Sequence, residues 1–236
     1  MKVLFISPCF NASRNLKNLI ESVRSQEDDR WSHIFVDDMS VDDTAEEYYN
    51  IIQDDERFSI IKNTEKKYAL RNIVEVARKF EKDKDLIIAV IDGDDQLCNN
   101  KTVSLLIDEY EKGNDVVWTG HRWDVNGINI SRDMPNNVDP YGWPWCTSHL
   151  RTFRSTLLSN VPDRNFKDPW GKWFQRGYDQ ALMLPILKLT DRRKYIDEIC
   201  YLYNIKSVSV NDRDWAEMNQ LSTINLVRAR GFIENE

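Results

Sequence analysis

The 236-residue chain is poor in cysteine, glycine, proline and histidine, with 4, 8, 7 and 3 of them. Cys9, Cys98, Cys146 and Cys200 are scattered, with no CxxC and no Cys/His pair at zinc spacing. That argues against a disulfide framework and for thiols in a reducing compartment. Long apolar runs are missing too. The longest, Val3–Ile6 and Leu86–Ile91, fall far short of the ~20 residues of a membrane-spanning helix. No signal peptide or anchor is read, so the expected location is the cytoplasm, with peripheral attachment to a membrane left open. Positive charge is in deficit, 32 Lys+Arg against 39 Asp+Glu for a net −7, which argues against holding polyanions mainly by net charge. Also absent are glycine-rich phosphate cradles, either GxxxxGK[ST] or GxGxxG after the first strand. A P-loop phosphotransferase or a dinucleotide oxidoreductase is therefore disfavoured. With 41% hydrophobic and 30% charged residues, the composition is that of a soluble globular protein able to bury a sizeable core.

Periodicity in the first half alternates between strand and helix. Apolar segments at Lys2–Ser7, His33–Asp37, Phe58–Lys62, Leu86–Ile91 and Asp115–Thr119 predict strands. Between them, Asn15–Gln26, Asp42–Gln53, Tyr68–Glu81 and Thr102–Lys112 repeat apolar residues at helical spacing, with Asp42 or Asp43 as the cap of the second helix. This β-α alternation predicts an α/β protein with a mainly parallel, Rossmann-like central sheet flanked by helices, followed by a smaller region. Gly120 to Cys146 reads as a long loop or hairpin. Further on, Thr152–Ser159 and Tyr178–Leu189 read as helices, with Pro185 kinking the latter. Lys194–Ile205 reads as a strand pair or one long strand, and Asp214–Arg230 as a terminal helix. With no repeat or linker, residues 1–236 are expected to form one domain, its halves at 1–119 and 120–236.

Ligands of such sheets bind beyond the carboxyl ends of the strands. Those ends read Ser7-Pro8-Cys9-Phe10-Asn11, Asp37-Asp38-Met39-Ser40 and Asp92-Gly93-Asp94-Asp95. Three carboxylates in four residues repel one another, and a hard divalent cation, Mn2+ or Mg2+, would share their charge while keeping sites for phosphate oxygens. The same turn could equally cap the helix near Asn100. Asp38 could accept the N3 hydrogen of a uracil-like base, or cap the helix after it.

In order, Ser7-Pro8-Cys9-Phe10-Asn11-Ala12, Val36-Asp37-Asp38-Met39-Ser40 and Ile91-Asp92-Gly93-Asp94-Asp95 resemble the nucleotide-sugar half of inverting family 2 glycosyltransferases of the GT-A fold. The resemblance is strong over roughly the first 120 residues and weak beyond. It implies a nucleoside diphosphate sugar donor, probed at Pro8, Phe10, Asn11 and Asp38. It further implies a metal ion contacted by Asp94 with Asp92 beside it, and Asp95 near the ribose, metal waters or donor sugar. Lys67 and Arg71 fall where the family often places a basic residue beside the diphosphate.

In this family a carboxylate at the start of a helix in the second half removes the acceptor proton. Gly177-Tyr178-Asp179-Gln180 fits that pattern and nominates Asp179, with Tyr178 standing where a first acid is usual. Thr147–Arg154 resembles the acceptor-side segment, which nominates His149 and Arg151. The family's Tyr-Arg-x-His metal segment is replaced by Tyr203-Asn204-Ile205-Lys206, leaving Lys206 to offset diphosphate charge. Trp143, Trp145 and Trp170 offer faces for sugar stacking, although tryptophan more often serves packing. A saccharide or another hydroxyl-bearing molecule is the expected acceptor, and a nucleic acid is possible but not favoured. The rivals are a sugar-nucleotide nucleotidyltransferase and a nucleotide-sugar binding module without catalysis.

Overall fold

The computed structural model describes residues 1–205 and 213–234, without the side chains of 213–217. An eight-stranded sheet runs in the order β3-β2-β1-β4-β7-β6-β8-β5. Its first four strands are β1 (Lys2–Cys9), β2 (Trp31–Asp37), β3 (Phe58–Lys62) and β4 (Leu86–Val90), and they pair in parallel. Helices α1 (Leu16–Arg24), α2 (Thr44–Ile52) and α3 (Tyr68–Arg78) connect them. The other half holds β5 (Gln96–Leu97), α4 (Thr102–Glu111), β6 (Val116–Trp123), β7 (Arg151–Arg154), α5 (Tyr178–Lys188), β8 (Arg193–Tyr203) and α6 (Arg213–Arg230). β7 runs antiparallel to both neighbours, and β5 antiparallel to β8, so the sheet is mixed with a parallel majority.

Alternation along β1 sets the two faces. Val3 and Phe5 join α1, α2 and α4 in one core, through Leu16, Leu19, Ile20, Tyr48 and Leu106. Leu4 and Ile6 join α3 and α5 in the other, through Leu70, Ile73, Ala77, Leu182 and Ile186. Both faces are thus dry, which is why these strands read as continuous apolar runs. Among the described residues no helix is long and apolar enough to cross a membrane.

Two expectations about the second half are corrected. Thr152–Ser159 is not a helix. Arg151–Arg154 forms β7, and a 3-10 turn follows at Ser155–Asn160. Thr152 and Phe153 find ladder partners on both β4 and β6, while Thr152 Oγ1 donates to Val117 O at 2.6 Å, so tertiary pairing outweighs a weak local preference. β6 also extends to Trp123, four residues beyond the expected strand end, before the long irregular segment. Of the alternatives left open, Lys194–Ile205 resolves as a single strand, and α5 continues through Pro185.

Between β6 and β8 the register shifts around Gly120, where an added Cβ would lie 2.9 Å from Glu198 O. This irregularity pairs His121 with Tyr201 and Trp123 with Tyr203, bringing both tyrosines to the sheet edge nearest the carboxylate turn.

Candidate active site

The loops after β1, β2 and β4 and the segment before α5 enclose a cleft of about 620 Å³. Pro8, Phe10, Asp38, Asp92, His149, Arg151 and Asp179 all line it. Carboxylates far apart in the chain therefore face a common space at the carboxyl end of the parallel strands.

The first wall is built from loops tied to each other. Asn11 holds its neighbour rather than the cleft: its Oδ1 accepts from Val41 N at 3.0 Å, and its own N–H donates to Ser40 Oγ at 2.9 Å. Asp38 caps α3 from outside that helix. Its Oδ1 accepts from Lys67 N and Asn63 Nδ2, and its Oδ2 from Tyr68 N, each at 2.8 Å. These amides begin a helix and have no intrahelical acceptor, so the carboxylate completes it. Burial alone would raise the Asp38 pKa, but these hydrogen bonds, with Asn72, hold it below the usual value. Lys66 closes the arrangement, 3.5 Å from Asp38 Oδ2 and 2.9 Å from the centroid of the half-exposed Phe10 ring. Lys67 and Arg71 face elsewhere, both engaging Glu75, at 2.8 and 2.7 Å.

The floor is the turn after β4. Gly93 is required there because an added Cβ would overlap Cys9 Sγ. Asp92 accepts from Arg151 Nη2 at 3.0 Å and from the Tyr178 hydroxyl, and Arg151 Nη2 also donates to Tyr178 Oη at 3.1 Å. Asp95 lies beneath, accepting from Tyr201 Oη and Asn204 N at 2.7 Å each. Burial, then the charges of Asp94 and Asp92, push the Asp95 pKa well up against those two hydrogen bonds. His149 stacks on Tyr201 and Tyr203, with ring centroids 4.5 and 5.0 Å away.

This floor fits a divalent cation. Asp92, Asp95 and His149 each offer an atom, all within 4.8 Å of one another, and His149 Nδ1 is buried without a hydrogen-bond partner. Burial, followed by Arg151 and His121, holds the His149 pKa well below its ordinary value, leaving a neutral imidazole with a lone pair. Asp94, expected as the direct metal contact, is outside that group and does not line the cleft.

The far wall is the start of α5. Gly177 takes φ +63°, and an added Cβ would lie 3.0 Å from Gln220 O of α6, so this helix end is packed closely against its neighbour. Asp179 follows in the first turn. Its pKa is raised, chiefly by burial and further by Asp92, against the pull of Arg151.

Lys66 and Tyr203 line the cleft and Tyr201 supports its floor through Asp95, none of them with a role expected from the sequence, while Tyr178, in the place of a usual acid, donates to Asp92. Arg151 was placed on the acceptor side, whereas it sits under Asp92 with 2% of its surface exposed. Tyr201 and Tyr203 share one strand face, a period-two signal readable only once β8 is known. Trp143 and Trp145 pack against the α3–α5 core and do not line the cleft, and Trp170 is 83% exposed on a neighbouring surface. Lys206 lies outside the described residues.

Residues 5–178 match the family model described as "Glycosyl transferase family 2". No curated protein matches the sequence. Among solved structures, S. aureus TarS 1-349 in complex with UDP superposes with a TM-score of 0.68 at 19% identity, covering 94% of this chain and 65% of that one. The same protein in complex with UDP-GlcNAc gives 0.68 at 18%, over 99% and 68%. The mannosyltransferase PcManGT from Pyrobaculum calidifontis, in complex with GDP-Man and Mn2+, gives 0.64 at 13%, over 99% and 66%. The chain thus spans about two thirds of these structures, and 39% of a longer TarS structure. At such identities the likeness is one of fold.

Proposed function

The chain belongs to glycosyl transferase family 2, a family of transferase enzymes with the GT-A fold, and we infer that it moves a sugar from a uridine diphosphate donor to an acceptor hydroxyl with inversion at the anomeric carbon. One observation carries this reading: Asp38 and Asp92, from two strand-end loops, and Asp179, from the first turn of α5, line the same cleft. Residues 1–119 form the donor side of this single domain and residues 120–236 the acceptor side.

Inversion requires a base opposite the departing diphosphate. Asp179 takes the proton of the acceptor hydroxyl as that oxygen bonds to the anomeric carbon, and the electron pair of the broken bond leaves with the diphosphate. Its raised pKa makes it a stronger base than an exposed carboxylate. Pro8 and Phe10 hold the nucleoside, and Asn11 supports them by fixing the loop. Lys66 and Arg176 are the cleft cations nearest in kind to a diphosphate partner, since Arg151 is already committed to Asp92. Mn2+ or Mg2+ held by Asp92, Asp95 and His149, with Asp94 adding charge to the same turn, would supply Lewis-acid stabilisation of the leaving diphosphate when bound.

The test is thermal denaturation of the protein with UDP, GDP, ADP or CDP, each with and without Mn2+ or Mg2+. A ligand that binds only the native state raises its stability with affinity. UDP with a divalent ion is expected to give the largest rise. An equal response to every base removes the uridine assignment, and no response to any diphosphate removes the reading.

A further inference from the structure

We propose that a second groove, adjoining the cleft that Asp179 lines, binds the non-reacting residues of a saccharide acceptor, so that the acceptor is a chain of at least two sugars. This rests on the transferase reading above and adds the class and length of the second substrate.

The groove measures about 380 Å³, within the range of small-molecule sites of roughly 300–1,000 Å³. Gln175 and Arg176 line both it and the cleft, so the two spaces adjoin at these residues. Arg176 lies three residues before Asp179 in the chain. On one side stands a tight hairpin whose tip is Asp168-Pro169-Trp170-Gly171. Lys167 bridges to Trp173, Gly171 N donates to Asp168 O at 3.0 Å, and Gly171 takes φ +83°. Asp168 Oδ1 accepts from both Trp170 N and Lys172 N at 2.9 Å. Pro at the second turn position and a left-handed Gly after the turn make this hairpin stiff without help from the Trp170 side chain.

That side chain is therefore displayed rather than packed. Trp170 is 83% exposed, whereas Trp173 on the same hairpin lies parallel to Phe166, with centroids 6.0 Å apart, and joins the core. The opposite side is the polar surface of α6 at Asn219, Ser222 and Thr223. Lys172 has no ion-pair partner among the described residues and can donate to ring hydroxyls. An exposed indole face on a stiff hairpin, with hydroxyl, amide and cationic side chains lining the same groove, matches a sugar ring, with apolar C–H faces and a polar rim. Asp179 lines the cleft and Trp170 the adjoining groove, which sets the order: the reacting residue lies by Asp179, the next against Trp170.

The probes are manno-, cello- and chito-oligosaccharides of one to four residues, titrated calorimetrically into the whole chain with and without UDP and Mn2+. At least one series is expected to gain about tenfold in affinity from one residue to two or three. Trp170→Ala should abolish that gain and Trp170→Phe should keep most of it, which a merely unfolded variant would not do. No binding by any series, no dependence on length, or a gain that survives Trp170→Ala overturns the proposal. So does a Trp170-dependent association with phosphatidylglycerol vesicles that leaves saccharide binding untouched, which would make the indole a membrane contact. UDP binding by the unaltered protein reports separately on the transferase reading.

Discussion

Arg151 Nη2 lies 3.0 Å from Asp92 Oδ2, with the guanidinium almost wholly withdrawn from solvent. β7 delivers this arginine from one side of the sheet and the turn after β4 delivers the aspartate, so the pair bridges two halves of the cleft floor. Removing Arg151 strands the charge of Asp92, which keeps a fifth of its side chain exposed, at a cost of about 1–3 kcal/mol. Arg151→Leu is therefore expected to lower unfolding free energy by that order in urea titrations. Arg151→Lys should restore only part of it, because the shorter side chain does not readily carry its ammonium to the place of Nη2, the one nitrogen that serves both Asp92 and Tyr178 Oη. A loss under 1 kcal/mol for Arg151→Leu would mean the pair is not buried in solution.

Asp179 is expected to set the acid limb of the transfer rate. A base must be ionised, and burial raises this carboxyl, so the rate should fall with decreasing pH through an apparent pKa above the ordinary ~4 of an aspartate. Asp179→Asn should cost about 10²–10⁴ in kcat, while UDP affinity, read by calorimetry, stays within a few-fold. Unchanged kcat in that variant would assign the proton transfer elsewhere.

Most of the donor half was legible in the chain because its central strands, β1 and β4, are covered on both faces. Apolar runs such as Leu86–Val90 and helical stripes such as Leu16, Leu19, Ile20 and Val23 then follow from local pattern alone. The strand-end loops carrying Asp38 and Asp92 could be located for the same reason. β7 could not. Arg151 and Arg154 flank its two central residues and look like solvent positions, and only pairing with β4 and β6 makes the segment a strand. Asp38 shows a different limit: its type suited either base reading or capping, and the backbone that it caps lies 29 and 30 residues away. The tryptophans illustrate a third, since Trp143 is partly buried against the core and Trp170 stands exposed, and only neighbours far along the chain separate them.

Lys66 stands where a stacked base would go. Its ammonium covers the Phe10 ring at 2.9 Å and faces the one Asp38 oxygen that accepts a single amide. A base seated on that face must displace it, losing a cation–π contact of roughly 0.5–2 kcal/mol. Lys66→Met should therefore bind uridine at least about twofold more tightly by calorimetry. UDP should gain less than uridine, or lose, if the displaced ammonium meets the diphosphate. Weaker uridine binding in the variant would show that Lys66 holds the base instead of covering its seat.

His33 gives the fold a defined response to acid. It is fully buried on β2, its Nε2 2.9 Å from Ser7 Oγ, and burial lowers its pKa to about 3. In the unfolded chain the same ring titrates near ~6.5. Between those values the unfolded state binds more protons than the native one, so stability rises with pH there and is complete above the unfolded pKa. Going from pH 7.5 to 5 should then cost about 2 kcal/mol from this residue alone, at ~1.4 kcal/mol per pH unit below the unfolded pKa. His121, lowered to about 4 by burial, adds in the same direction. His33→Gln keeps an amide for Ser7 but cannot titrate. Urea unfolding at pH 7.5 and 5 should show a stability loss smaller by about 2 kcal/mol in the variant than in the parent, whatever the variant's stability at pH 7.5. An identical loss in both would mean that His33 takes up its proton in the native state.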